Sequence, residues 1–73
     1  MIDVNALKGI ITAKGMTQQM VAHEIGIAPK TFYSKMKKGV FGSDEMEAMI
    51  DLLSISNPVD IFFAKEVTSE VTN

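Results

Sequence analysis

A chain of 73 residues without a cysteine fits one domain held by packing alone, which excludes a disulfide framework and a thiolate metal site. With 47% of its residues hydrophobic it is too apolar to be disordered. No apolar run approaches the roughly 18 residues of a membrane span, the longest candidate being Val59–Ala64 with Asp60 inside it.

The net charge of −2 and a pI of about 5.2 point away from nucleic acid, whose binders are usually basic. The charge is unevenly spread, however. Lys30, Lys35, Lys37 and Lys38 fall in one acid-free window, and Lys8, Lys14 and Lys65 share the rest of the chain with all nine acids. This predicts one basic face on an acidic body.

The pattern is helical throughout. Val4, Leu7, Ile10 and Ile11 recur at three- and four-residue spacing, which predicts a first helix over about residues 3–14, capped by Asp3 and ended by Gly15. Thr17 suits the cap of a second helix with an apolar stripe of Met20, Val21 and Ile25, small Ala22 turned inward, and Gly26 as its stop. Pro29 suits the first position of a third helix, on which Phe32 and Met36 share a face. Gly39 and Gly42 bracket a loop. Ser43 is expected to cap a fourth helix, with Asp44 and Glu45 near the positive end of its dipole and Met46, Met49, Ile50 and Leu53 as its apolar stripe. Asn57 is expected to cap a short fifth helix beginning at Pro58, with Ile61, Phe62 and Phe63 closing the core. The chain then turns polar, so one domain over residues 1–64 and a polar tail over 65–73 are expected. The fold class expected is all-α, with five helices.

The informative stretch is Thr17–Phe32. Two helices that cross over a very short turn need a small residue where one passes over the other and a glycine where the backbone takes a positive φ. Ala22 and Gly26 meet those needs, and Ile25, Ile27 and Phe32 anchor both helices to one core. The third helix is then held with its amino end presented outward.

The spacing from Ala22 to Gly26 to Phe32 resembles the helix-turn-helix of the phage repressor and Cro superfamily. The run from Lys30 to Phe41, the stretch Ser43–Ser56 and the ending Asp60–Lys65 are similar to small regulators of temperate phages of Gram-positive bacteria. The likeness covers about residues 5–64. Two positions depart from the pattern. Ala28 opens the third helix where Ser or Thr is common, and Lys35 stands where an apolar residue is common, Met36 taking over. The resemblance implies a five-helix, lambda-repressor-like DNA-binding domain. It implies that Gln18 touches phosphate, that Lys30, Thr31 and Ser34 face base edges in the major groove, that Tyr33 and Lys37 lie on its flanks, and that Lys38 contacts the backbone. The implied partner is a double-stranded DNA operator. A homodimer and a partner phage repressor are left open, and the setting implied is the bacterial host cytoplasm.

Other groups have plainer readings. His23 is the single histidine and has no companion for metal binding or general-base work. Asp44, Glu47 and Asp51 share a helix face, which solubility and the helix dipole explain. The six methionines are expected mainly to fill the core. Tyr33 has two equal readings, packing on a neighbour or contact with DNA. There is no nucleophile–base pair, no phosphate-binding glycine loop and no zinc spacing, so neither an enzyme nor a cofactor is expected. Three functions are carried forward: a DNA-binding regulator of the Cro or repressor kind, in a lysis–lysogeny switch; a modulator or antirepressor that keeps the fold and binds a partner repressor; and a toxin–antitoxin or housekeeping regulator of the same fold.

Overall fold

The computed structural model describes residues 2–63, and the tail assigned to residues 65–73 lies outside them. Among the described residues the chain is all-helical, with α1 (Val4–Ala13), α2 (Gln18–Ile25), α3 (Pro29–Lys38), α4 (Ser43–Leu53) and α5 (Pro58–Phe62). None of these helices is long and apolar enough to cross a membrane.

The helix starts follow the chemistry of their first residues. Asp3 accepts from the Ala6 N–H at 3.0 Å and Thr17 from the Met20 N–H at 3.1 Å, each satisfying a donor that the first turn leaves without a partner. Ala28 precedes α3 without a side-chain cap, while Pro29 at the first position has no N–H to satisfy. At α4 the expectation shifts by one residue. Gly42, not Ser43, is the cap, and its N–H donates to Glu45 Oε1 at 2.8 Å. A glycine has no side chain to return that bond, so only the glutamate half of a capping box is present. Asn57 holds the cap position of α5 but makes no side-chain bond.

The first four helices end alike. After α2, the Gly26 N–H reaches the His23 carbonyl at 3.2 Å and the Ile27 N–H reaches Ala22 at 3.0 Å. This paired closure is the Schellman motif, in which the residue after the helix turns left-handed. It recurs at Gly15 and Met16 after α1, at Gly39 and Val40 after α3, and at Ser54 and Ile55 after α4. Gly26 takes φ +85° at no steric cost, whereas Ser54 takes φ 51° with a Cβ to accommodate.

The core is wholly apolar, with no buried polar or charged residue among those described. Helix α2 is its hub. It packs against α1, α3 and α4, and Val21 and Ala22 are completely buried. Leu7, Phe32, Met49 and Leu53 reach it from α1, α3 and α4, also with no exposure. Phe41, in the loop after α3, sets its ring 5.3 Å from that of Phe32 at a tilt of 55°. The amino-terminal segment is tied to both ends of this assembly: the Asp3 N–H donates to the Ile61 carbonyl at 2.6 Å and the Ile2 N–H to that of Gly39 at 3.3 Å.

Two expected core residues lie outside the core. Met20 is 47% exposed, because α2 centres its buried face on Val21 and Ala22 and turns Met20 to one side. Phe63 is 43% exposed, because α5 ends at Phe62 and the next residue leaves the helical phase.

Phe32→Ala empties the centre of this core, and it is expected to cost about 3–5 kcal/mol in urea or thermal unfolding. The helix ends make opposite predictions. Gly26→Ala loses about 1 kcal/mol through backbone conformation alone, since a Cβ there meets no atom within 4 Å. Ser54→Gly relieves a left-handed serine and raises stability by about 0.5 kcal/mol, less than the full relief because glycine also loosens the unfolded chain. Thermal melts of the two variants read both signs.

Candidate nucleic-acid interface

Helix α3 advances about 100° per residue, so the burial of Phe32 and Met36 fixes the phase of every other side chain on it. Pro29 falls on the same side and is half-buried. Lys30, Thr31, Tyr33, Ser34, Lys37 and Lys38 fall on the other side, and all six are exposed. Lys30, Ser34 and Lys37 form the central stripe, with Thr31 and Lys38 on one flank and Tyr33 on the other. Tyr33 is 48% exposed, so its ring is not folded into the core. Gln18, the seventh predicted site residue, is the first residue of α2 and is half-buried. Six of the seven therefore share one helix face, and Gln18 belongs to a separate element.

Three residues, Gly26–Ala28, join α2 to α3. Their closure is set by the left-handed Gly26 and the Ile27-to-Ala22 hydrogen bond. α2 and α3 are in extensive contact, and Ala22, Phe32 and Met36 are all buried in the common core. The fully buried Ala22 lies on α2, the helix against which α3 packs.

The basic cluster is smaller than the four lysines of the sequence window. Lys35 Nζ lies 2.5 Å from Glu45 Oε2 on α4. The pair is part-buried, with the lysine side chain 33% and the glutamate 16% exposed. Lys35 thus reaches across to a charge on α4, leaving Lys30, Lys37 and Lys38 to face solvent. Glu45 also accepts the Gly42 N–H, so one carboxylate clamps the end of α3 to the start of α4 across the loop. Burial alone pushes the Glu45 carboxyl up, but the Lys35 hydrogen bond, the Gly42 N–H and the lysine charge together outweigh it and hold the group below its ordinary value of 4.5.

Sequence reasoning missed Glu45 as a member of this site. Its acidic character near a helix start suggested only the dipole, and nothing in the local pattern pairs it with a residue ten positions earlier. Beside the α2–α3 joint there is also an open cleft of about 360 Å³, lined by Met16, Met20, Ile27 and Pro29 together with the polar residues Thr17, Gln19, His23 and Glu24. No described group of three or more His, Cys, Asp or Glu side chains could hold a metal ion. Asp44, Glu47 and Asp51 are exposed on α4.

Comparison of the chain with protein-family models, with curated proteins and with solved structures finds no match.

The clamp makes a pH prediction. The folded-state pKa of Glu45 is depressed, so its contribution is complete above the unfolded value near 4.5 and is lost as pH falls through the lower folded value. Glu45→Gln should lower stability at pH 7 by about 1 kcal/mol or less, and the difference from the parent should shrink as pH is taken below about 4. Denaturation midpoints at pH 7 and pH 3 measure it; a constant difference would show that the carboxylate charge is not the stabilising element.

Proposed function

We propose that this chain is a sequence-specific double-stranded-DNA-binding regulator of the Cro or repressor type, with α2 and α3 as its helix-turn-helix and α3 as the helix that enters the major groove. One observation carries this reading: a basic, hydroxyl-bearing face on α3 points away from the core while its opposite side is anchored by Phe32 and Met36. A major groove about 12 Å wide admits a helix held in this way. Lys30, Thr31 and Ser34 then meet base edges, Tyr33 and Lys37 lie toward the flanks of the groove where they touch phosphate or bases, and Lys38 and Gln18 meet phosphate. Phosphate contacts position the domain and base contacts specify the site. A dimer on a pseudo-palindromic operator would place two such helices about 34 Å apart, one helical turn of DNA.

A second reading has its own observation. The cleft between Met16, Met20, Ile27 and Pro29 leaves apolar surface open beside the α2–α3 joint. A modulator of the same fold that binds a partner repressor would use surface of this kind, and the acidic balance of the chain suits such a role.

Fluorescence anisotropy of the purified chain on its upstream intergenic duplex, at two salt concentrations, tests the first reading and separates it from the second. With three solvent-facing lysines, the logarithm of the binding constant should fall against that of salt with a slope of about −2 to −3 per bound chain. Lys38→Ala should weaken all duplexes alike and reduce the slope by about 1. Lys30→Ala or Ser34→Ala should relax base preference. Binding that ignores salt, or that occurs only when the neighbouring gene's product is present, would favour the modulator instead.

A further inference from the structure

The outward face of α3 has an unusual hydrogen-bonding inventory for a helix that reads bases. It carries lysines and hydroxyls, and between Pro29 and Lys38 there is no Asn, Gln, Asp, Glu or Arg. Asn and Gln are the side chains that pair in bidentate fashion with adenine, and Asp and Glu are those that accept from the cytosine amino group. An ammonium has three donors and no acceptor. In the major groove guanine shows two adjacent acceptors, O6 and N7. Adenine sets its N7 beside an amino donor, cytosine shows an amino donor, and thymine shows one acceptor and a methyl group. A donor-only side chain therefore finds its best complement at guanine and meets opposing donors at adenine and cytosine.

We propose that this face selects guanine, with Lys30 and Lys37 each contacting one guanine of a half-site and Ser34 lying between them. The inference rests on the reading of α3 as the groove-entering helix. Lys30 and Lys37 are seven residues apart, two turns, and so lie within about 20° of one another around the axis. At about 1.5 Å per residue they are separated by about 10 Å along it, close to three base-pair steps of roughly 3.4 Å. Both are exposed, and neither takes part in an ion pair among the described residues. Lys35 is excluded because its ammonium rests on Glu45. Lys38 is excluded because it lies about 80° from Lys30 and about 100° from Lys37 around the axis and sits at the helix end, a place suited to phosphate. The two guanines should therefore lie about three base pairs apart.

The test selects duplexes from a pool with a randomised core, using the full chain and sequencing the retained fraction. Lys30→Met and Lys37→Met are run beside it, since methionine keeps an unbranched stem without the ammonium. The unaltered chain should enrich two guanines about three pairs apart, and each variant should lose preference at one of them and keep the other. Placing 7-deazaguanine at one of these positions exchanges the N7 acceptor for C–H. That should weaken the unaltered chain about five- to thirtyfold, and should leave the matching lysine variant unaffected. Enriched sites without these guanines overturn the assignment while leaving the DNA-binding reading intact. So do lysine variants that weaken every duplex equally with the motif unchanged. Failure of the unaltered chain to retain any duplex at low salt overturns both.

Discussion

The burial of Phe32 is the constraint on which the presented surface depends. A helix is a rigid cylinder, and one fully buried side chain sets its rotation about its own axis. Met36, one turn further on, holds the same phase, and the Lys35–Glu45 contact pins the carboxyl half of α3 to α4. Rotating α3 by one residue, about 100°, would draw lysines or hydroxyls into a core that contains no polar partner for them, which costs several kcal/mol for a charged group. The orientation of Lys30, Ser34 and Lys37 is thus a consequence of apolar packing on the opposite side.

The joints between helices act in the same direction. Connections of three or four residues separate α1 from α2, α2 from α3, α3 from α4 and α4 from α5. Loops this short leave little freedom, and the paired hydrogen bonds after α1 to α4 reduce it further. After α2 the second bond runs from Ile27, a half-buried residue of the joint, to the carbonyl of fully buried Ala22. The turn is thereby tied to the centre of the core. A functional surface carried on helices anchored in this way can hold its side chains in register, which base recognition requires.

Much of this was legible in the sequence because it is written in local chemistry. Asp3, Thr17, Pro29 and the glycines at 15, 26 and 39 mark where helices begin and end, each for a reason internal to one turn of backbone. The outward face of α3 could be read once Phe32 and Met36 were taken as its inner face. What escaped depends on elements meeting in space. The bond from Lys35 to Glu45 exists because α3 and α4 approach one another across the loop, a fact that no periodicity encodes. Phe41 stands between two glycines, where a loop was read, and becomes core only by meeting the ring of Phe32. Met20 lies five residues from Ile25, about 140° around the helix, so the i, i+4 pair on α2 is Val21 with Ile25, and Val21 and Ala22 form the buried centre while Met20 is exposed. Ser54 closes α4 in a conformation usually given to glycine, so its type carries no signal of its backbone.

The acidic total charge does not conflict with a groove-entering helix, and it constrains how such a helix would work. At physiological ionic strength charges are screened over about 8 Å, so a phosphate at α3 responds to Lys30, Lys37 and Lys38 far more than to acids elsewhere on the domain. One of the four clustered lysines is withdrawn into a contact with Glu45, and no acid lies on α3 itself. The remaining attraction for phosphate is modest, and that attraction supplies essentially all of non-specific binding. A domain built this way would be held only weakly on arbitrary DNA. Its discrimination would then come from the short-range contacts of a few side chains on one stripe of α3, whose direction is set by two apolar residues on the other.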